Sequence, residues 1–244
     1  MFTNKRLLVS LSASAATVLA IAGCNADGTL SDVVIDVSSE NDTDDSVAPE
    51  IRAAMSFFVT SEGVGDGGNL GGLAGADIHC ATLADSAGAT ATEWRAYLST
   101  TGADGVNAID RIGAGPWVNS DGVTVATDTA DLLSQGNNLH GLTAITENGD
   151  TIPGRGSMPN RHDILTGTEL NGLASTSDTD TTCGNWTSNG EGAATVGHHD
   201  RSGPLIDFVV NPNSWSTAHP SLGCSQADLQ ETGGDGLFYC FVEN

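Results

Sequence analysis

Hydrophobic positions along the chain fall into short runs that are separated by glycine-rich and polar stretches. Residues 56–60, Ser-Phe-Phe-Val-Thr, combine aromatic and β-branched side chains and are followed by several glycines, which predicts a short strand. The closing run 237–242, Leu-Phe-Tyr-Cys-Phe-Val, predicts a second and stronger strand. The folded part of the chain is therefore expected to begin and end with a strand.

Between these strands the pattern predicts two early helices, at residues 74–87 and 92–99. In the second, Trp94, Tyr97 and Leu98 are spaced i, i+3 and i+4, so they would share one helix face. Beyond it, glycine-punctuated loops alternate with short apolar pieces at residues 117–118, 123–125, 164–165 and 205–210. Early helices followed by many short strands and long loops predict an α+β domain.

The N-terminal segment has the character of an export signal. Residues 1–23 carry a Lys-Arg pair near the start, then an apolar stretch that is too short and too rich in serine and alanine for a membrane span. Small residues precede Cys24, which resembles the bacterial lipobox. That resemblance implies a lipidated Cys24 as the first residue of the mature chain, and Asn25 after it favours the outer membrane. The alternative is an ordinary signal peptide with a chance cysteine.

Residues 24–54 follow as an acidic stretch of low hydrophobicity, which predicts a solvated, disordered tether. One folded domain is then expected over residues 55–244. The whole chain has 31 Asp and Glu against 8 Lys and Arg, a net charge of −23. Because so acidic a surface repels anions, nucleic acid and heparin-like polyanions are excluded as partners.

Setting Cys24 aside leaves an even number of cysteines, which in an exported chain implies two disulfides. Three connectivities are possible, and the spacing alone does not choose between them. Metal binding is the competing use, but the chain has no C-x-x-C pair. The four residues are Cys80, Cys183, Cys224 and Cys240.

The flanks of these cysteines carry a family resemblance over most of residues 55–244. The segment 74–80, Ala-Gly-Ala-Asp-x-x-Cys, followed by Trp-Arg-Ala-Tyr-Leu-Ser at 94–99, resembles the opening of endostatin, the C-terminal domain of certain collagens. Cys183-x-x-Trp186 and the closing strand with its cysteine continue the pattern. A class of bacterial lipoprotein domains with the same G-A-D-x-x-C start is also similar.

The resemblance implies a C-type-lectin-like, endostatin-like fold with two nested disulfides, Cys80–Cys240 and Cys183–Cys224. The first bridge would fasten the last strand to the first helix. We also expect the strand at residues 57–59 to pair with the strand at 238–242, and both Trp94 and Trp186 to lie in the core.

Candidate chemistry is sparse, and the densest group of metal-capable residues is His198-His199-Asp200. Because alternate residues of a strand face the same side, His198 and Asp200 could bind one ion together while His199 could not. A tetrahedral site would need a further partner such as His162 or His219. The alternative is a solvated polar loop, and no G-x-S-x-G motif supports a serine nucleophile.

A lectin-like fold also suggests Ca²⁺-dependent sugar binding. Asn160 in Met-Pro-Asn keeps part of the E-P-N tripeptide of sugar-binding C-type lectins but lacks its acid. Asp121, and Asp178 together with Asp180, lie in acidic loops that could hold Ca²⁺. Turn chemistry explains the Asn-Ser-Asp-Gly segment around Asp121 equally well.

Trp117 and Trp215 lie in turn-rich segments, where an exposed indole could stack on a sugar or anchor a partner. The alternative is a buried cluster beneath a long loop. Taken together, the sequence predicts a non-catalytic, lipid-anchored cell-envelope protein that presents a binding domain to a protein or neutral glycan. A secreted metal-dependent hydrolase using the His198 and Asp200 region, or a purely structural envelope protein, are the alternatives.

Overall fold

A computed structural model describes residues 47–203 and 211–244 of the chain. Its helical segments are α1 (Val47–Ala53), α2 (Gly72–Ser86), a 3-10 helix (Ala108–Arg111), α3 (Thr129–Leu133), α4 (Cys183–Trp186) and α5 (Gln226–Thr232). Its strands are β1 (Phe57–Val59), β2 (Trp94–Ala96), β3 (Trp117–Val118), β4 (Thr124–Ala126), β5 (Asp163–Leu165), β6 (Thr195–His198), β7 (His219–Pro220) and β8 (Gly234–Val242). The predicted α+β class with short strands is confirmed.

The long C-terminal strand β8 organises the main sheet. Strands β1 and β2 both pair antiparallel with its second half, and Phe57 lies opposite Phe241. Strand β5 runs parallel to the first half of β8, and β6 and β7 follow antiparallel. The predicted pairing of residues 57–59 with the end of the chain is therefore confirmed. Strands β3 and β4 form a separate two-stranded sheet.

Side chains of β8 alternate between two hydrophobic cores, because successive residues of a strand point to opposite faces. Phe238 and Cys240 enter the first core, which contains α2 and both disulfides. Tyr239 and Phe241 enter the second core, which lies against the β3–β4 sheet. The strand is thus buried on both faces, which fits its continuous apolar sequence.

The disulfides are Cys80–Cys240 and Cys183–Cys224, as the family resemblance implied. The first connects α2 to β8, and the second connects α4 to the segment before α5. Two such bridges are typical of an extracellular or periplasmic protein. Over the described ranges, 47–203 and 211–244, no helix combines the length and apolarity needed to span a membrane.

The predicted helix at residues 92–99 is wrong, because this segment contains strand β2. Trp94 and Leu98 lie in the first core, whereas Tyr97 lies in the second. The side chains thus alternate between the two cores with a period of two. The hydrogen bonds to β8 outweigh the helical spacing of the aromatic residues. The other predicted helix forms as α2, and Trp94 and Trp186 are buried as expected.

Asp77, which lies in the G-A-D-x-x-C segment, forms an ion pair with Arg111. Its carboxylate accepts hydrogen bonds of 2.7 and 2.8 Å from Arg111 and one of 2.9 Å from the amide of Ala96. The guanidinium also donates to the carbonyl of Ala96. One mostly buried ion pair therefore joins α2, β2 and the 3-10 helix.

The stretch predicted as a disordered tether, residues 24–54, is helical near its end. Residues Val47–Ala53 form α1, and the carbonyl of Ala53 accepts hydrogen bonds from both the amide and the hydroxyl of Thr90. The end of the acidic stretch is therefore attached to the domain. The predicted signal and Cys24 lie outside the described residues, as does the apolar piece at 205–210.

Candidate metal centre

The sheet gathers a cluster of polar side chains that are distant in sequence. Asp163 begins β5 and faces His198 at the end of β6, because these two residues are register partners. His219 begins β7 and lies opposite Val196 of β6. His162 directly precedes β5, so strand pairing brings all four side chains to one place. All four are buried, none being more than 6% exposed.

The donor atoms of this cluster converge on one carboxylate oxygen. Oδ1 of Asp163 lies 3.1 Å from Nε2 of His162 and 3.3 Å from Nε2 of His198. Nε2 of His219 lies 3.6 Å from the same oxygen and 3.0 Å from Nε2 of His198. Neither carboxylate oxygen of Asp163 receives a well-directed hydrogen bond from the described residues.

Each imidazole uses its other nitrogen for an acceptor outside the cluster. Nδ1 of His198 donates to the carbonyl of Pro212 at 2.8 Å, and Nδ1 of His219 donates to the carbonyl of Pro220 at 3.0 Å. Nδ1 of His162 faces the carboxylate of Asp200 at 3.4 Å. Because these partners only accept, they assign a proton to Nδ1 of each ring, and a ring that is neutral then directs its Nε2 lone pair into the cluster.

Lone pairs brought this close need a positive charge between them. Two neutral rings with Nδ1 protonated, those of His162 and His198, would direct their Nε2 lone pairs at the same Asp163 oxygen, 3.1 and 3.3 Å away. Such an arrangement is repulsive unless a proton or a metal ion lies among the donor atoms. The cluster is therefore either a protonated hydrogen-bond network or a metal site.

The spacing of the donors matches a tetrahedral metal ion. Zinc bonds of ~2.0–2.1 Å to nitrogen and oxygen place neighbouring donors ~3.3 Å apart. Four of the six separations among the donor atoms lie between 3.0 and 3.6 Å, namely the three to Oδ1 of Asp163 and the one between His198 and His219. Imidazole and carboxylate are donors that zinc accepts, whereas calcium takes six to eight oxygen ligands. Over the described residues, the metal-capable group whose donor atoms all lie within 4.8 Å of one another consists of His162, Asp163 and His198, and His219 lies beside it.

The electrostatics of the cluster favour an ionised carboxylate. Burial alone would raise the pKa of Asp163, but its contacts with His198 and His219 outweigh burial and lower the pKa. Burial would likewise lower the pKa of His219, yet the Asp163 carboxylate raises it. A negative charge therefore lies at the centre of the cluster, where it would attract a cation.

A close backbone approach positions His198. Gly197 has no side chain, and a Cβ there would collide with the carbonyl of Trp215. The segment 212–216 can therefore lie directly on β6, where the amide of His198 donates to Ser214 at 2.9 Å. This contact also brings the carbonyl of Pro212 within reach of the His198 ring.

The sequence prediction for this region holds in part. His162 and His219 had been named as possible further partners of His198, and both lie in the cluster. Asp200 does not lie beside His198 but behind His162, whose Nδ1 it contacts. His199 is buried, and burial lowers its pKa to about 4. Asp163 was missed, because a single Asp before an apolar run carries no spacing signal.

Of the two interpretations of Trp117 and Trp215, the buried cluster beneath the loops is the one that the structure shows. Trp117 is fully buried and meets Phe241 edge-on, with ring centroids 5.4 Å apart. Trp215 is 4% exposed and lies between Tyr97 and Tyr239. Both indoles fill the second core beneath the loops that carry them, so their ring faces are covered by the protein.

The acidic loops show turn and capping contacts. The side chain of Asn119 accepts from the amides of Asp121 and Val123, which explains the Asn-Ser-Asp-Gly segment as a turn. Asp180 accepts from the amides of Thr182 and Gly184, at the start of α4. Among the described residues, no third metal-capable group gathers at these aspartates.

The remaining predicted site residues are on the surface. Asp178 is exposed and lines a cavity described below. Asn160 is half-buried and accepts from the amide of His162 at 3.3 Å, so it supports the loop next to the metal-type cluster.

Comparison with known proteins adds no further assignment to this geometry. No family model matches the chain, and no curated protein matches it.

Proposed function

We propose that the protein is an exported metal-binding protein that holds one zinc-type ion in the cluster of His162, Asp163, His198 and His219. The observation that carries the proposal is the convergence of three imidazole nitrogens on one buried carboxylate oxygen. Each ring has its other nitrogen held by an acceptor, which is the usual arrangement behind histidine ligands.

The proposed role of the ion is structural and non-catalytic. The gathered donors of His162, Asp163 and His198, joined by His219 from its position 3.0 Å from His198, would complete a tetrahedral coordination, whereas catalytic zinc sites keep one position open for water or substrate. The ion would connect β5, β6 and β7, strands that are two to four residues long. A metal-dependent hydrolase using His198 and Asp200 is less well supported, because Asp200 supports His162 instead of facing the cluster.

We further propose that this domain is lectin-like and is displayed by a lipid on Cys24, with the outer membrane as its location. The disulfide pairing that the resemblance implied supports the first part of the proposal. The lipobox-like sequence before Cys24 supports the second. Detection of a lipid-modified N-terminal peptide by mass spectrometry would test the anchor, and a free cleaved N-terminus beyond residue 24 would contradict it.

Metal analysis of the full-length protein tests the central proposal. After chelator treatment and dialysis against Zn²⁺, we expect one tightly bound zinc per chain by elemental analysis and by titration calorimetry. The variant His198→Ala should lose this zinc. His140→Gln is the matched control, because His140 lies outside the cluster and should leave the stoichiometry at one. An unmetallated wild-type protein would assign the cluster to a protonated network.

A second candidate function rests on a separate cavity. A volume of about 580 Å³ lies between the segments 100–107 and 174–178 and is lined by hydroxyl and amide side chains, with Asp178 as its one charged residue. Such a lining offers donors and acceptors to a neutral, hydroxyl-rich ligand. This supports the binding of a neutral glycan, as predicted, but without stacking on Trp117 or Trp215, which are buried.

A glycan array with the full-length protein tests this second function. We expect binding that tolerates 0.5 M salt and weakens when Ser175→Trp fills the cavity, whereas Ser157→Trp on another exposed loop should have no effect. Silence across neutral glycans, with a folded wild-type protein, would leave the purely structural envelope role as the better proposal.

A further inference from the structure

The carboxylate of Asp200 contacts three other residues, His162, Ser202 and Arg155. Its Oδ1 lies 3.4 Å from Nδ1 of His162 and accepts from the amide of Ser202 at 3.1 Å. Its Oδ2 accepts from the amide of Arg155 at 2.7 Å. One carboxylate therefore connects a candidate metal ligand with the loop at Arg155, while its contact with Ser202 closes a local turn.

Two glycines make room for this carboxylate. A Cβ on Gly154 would lie 2.7 Å from Oδ2 of Asp200, and a Cβ on Gly141 would lie 3.3 Å from its Cβ. The side chain of Asp200 is thus enclosed by backbone on two sides and is only 14% exposed. A residue held so closely has a defined orientation toward His162.

Histidine ligands of metal ions usually donate their second nitrogen to a carboxylate or a carbonyl. That partner fixes the tautomer and the orientation of the ring, and it makes the ligating nitrogen more basic. His198 and His219 use backbone carbonyls for this purpose, whereas His162 uses the charged side chain of Asp200. Of these three partners, Asp200 is the one that a substitution can remove.

The same carboxylate reaches an exposed loop. Arg155 follows Gly154 at the start of residues 154–160, which are mostly exposed, and Met158 is 95% exposed. The hydrogen bond from the amide of Arg155 to Asp200 is a direct polar connection between this loop and the cluster.

We propose that Asp200 is a positioning residue that orients His162 toward the metal ion and couples metal binding to the exposed loop 154–160. This inference rests on the proposed metal site. With the ion bound, His162 is fixed, Asp200 is fixed by His162, and the amide of Arg155 is held by Asp200. Without the ion, the His162 ring loses its constraint, and the loop opens more often.

The first test measures zinc affinity by competition with a chromophoric chelator. Asp200→Asn keeps the size of the side chain and an acceptor for one of the two amides but removes the charge facing His162. We expect zinc affinity to fall ~10–100-fold with the stoichiometry still one. The control Asp178→Asn changes an exposed carboxylate outside the cluster and should keep the wild-type affinity.

A spectroscopic measurement separates positioning from general destabilisation. Cobalt(II) bound in place of zinc has visible absorption bands that depend on the donors and their geometry. We expect these bands to shift in Asp200→Asn and to stay unchanged in Asp178→Asn. A merely structural role would lower the stability of the metal-free protein without moving the bands.

Trypsin cleavage measures the coupling to the loop, because the peptide bond after Arg155 is exposed. In the wild-type protein we expect zinc to slow this cleavage several-fold. In Asp200→Ala, at zinc concentrations that saturate the variant, the protection should disappear. Cleavage after Arg95, which lies on strand β2, serves as the internal control for global unfolding.

The outcomes distinguish this inference from the proposed function. If wild-type protein binds no zinc, the metal site and this inference both fall. If it binds zinc and Asp200→Asn keeps both the wild-type affinity and the cobalt spectrum, the positioning role is overturned. If zinc protects the Arg155 bond equally in wild type and Asp200→Ala, the coupling to the loop is overturned.

Discussion

Two regions of the molecule are held together in different ways. In the first core, the disulfide Cys80–Cys240 links α2 to β8, and the disulfide Cys183–Cys224 links α4 to the segment before α5. In the second region, the cluster of three histidines and Asp163 connects β5, β6 and β7 through polar groups. The first region needs no ion to persist, whereas the second needs a proton or a metal.

The difference shows how such links are distributed along the chain. The disulfide Cys80–Cys240 closes a separation of 160 residues, so it constrains the unfolded chain strongly. The histidine cluster joins the short strands β5 and β7, which are three and two residues long. A metal ion there would provide the local cohesion that the disulfides provide elsewhere.

Removing the longer disulfide should have the largest effect. The double substitution Cys80→Ala and Cys240→Ala should lower the free energy of unfolding by ~5 kcal/mol, and the same change at Cys183 and Cys224 by ~4 kcal/mol. The order follows from sequence separations of 160 and 41 residues. Urea unfolding followed by tryptophan fluorescence measures both, and an inverted order would contradict the chain-entropy explanation.

Metal removal should have the next largest effect. At a free Zn²⁺ concentration of ~1,000 times the dissociation constant, binding stabilises the native state by ~4 kcal/mol. Chelation should therefore lower the melting temperature of the wild-type protein, while His198→Ala should melt at one temperature with or without chelator. Equal melting of the wild-type protein in both conditions would remove the metal from the comparison.

The ion pair between Asp77 and Arg111 is a third kind of link, which uses neither a covalent bond nor a bound metal ion. Arg111→Ala leaves the mostly buried Asp77 carboxylate with one fewer charged partner, so we expect a loss of ~3 kcal/mol. Chemical unfolding of Arg111→Ala, Asp77→Ala and the double variant measures their coupling. Additive effects of the two single substitutions would show that the pair contributes nothing as a pair.

The smallest effect is expected at the acidic loops. Asp178→Asn changes an exposed carboxylate, so the free energy of unfolding should move by less than ~0.5 kcal/mol. Zinc binding should not change, and calcium titration should give no heat that depends on this residue. A loss of calcium binding in Asp178→Asn would restore the predicted calcium site.

The sequence predicts the covalent region far better than the polar one. The paired strands at residues 57–59 and 238–242 could be predicted because their aromatic and β-branched runs are unmistakable. The disulfide pairing followed from the family resemblance and not from spacing. In contrast, β2 could not be separated from a helix, because Trp94 and Tyr97 have a helical spacing, both faces of the segment are apolar and only the hydrogen bonds to β8 decide.

The cluster itself could be predicted only in outline. His198, His162 and His219 were visible as metal-capable residues, but their meeting depends on the order β5–β6–β7 in the sheet. Asp163 and the orienting role of Asp200 depend on side-chain directions that local sequence does not encode. Trp117 and Trp215 lie in loop-like sequence, yet those loops fold over the second core and bury them.

Zinc K-edge X-ray absorption on the full-length, zinc-loaded protein identifies the donors around the ion. We expect four nitrogen or oxygen donors at ~2.0–2.1 Å, outer-shell scattering from three imidazoles, and loss of the ordered signal in His198→Ala. A spectrum dominated by sulfur at ~2.3 Å, or by oxygen without imidazole scattering, would contradict a zinc ion held by His162, Asp163, His198 and His219.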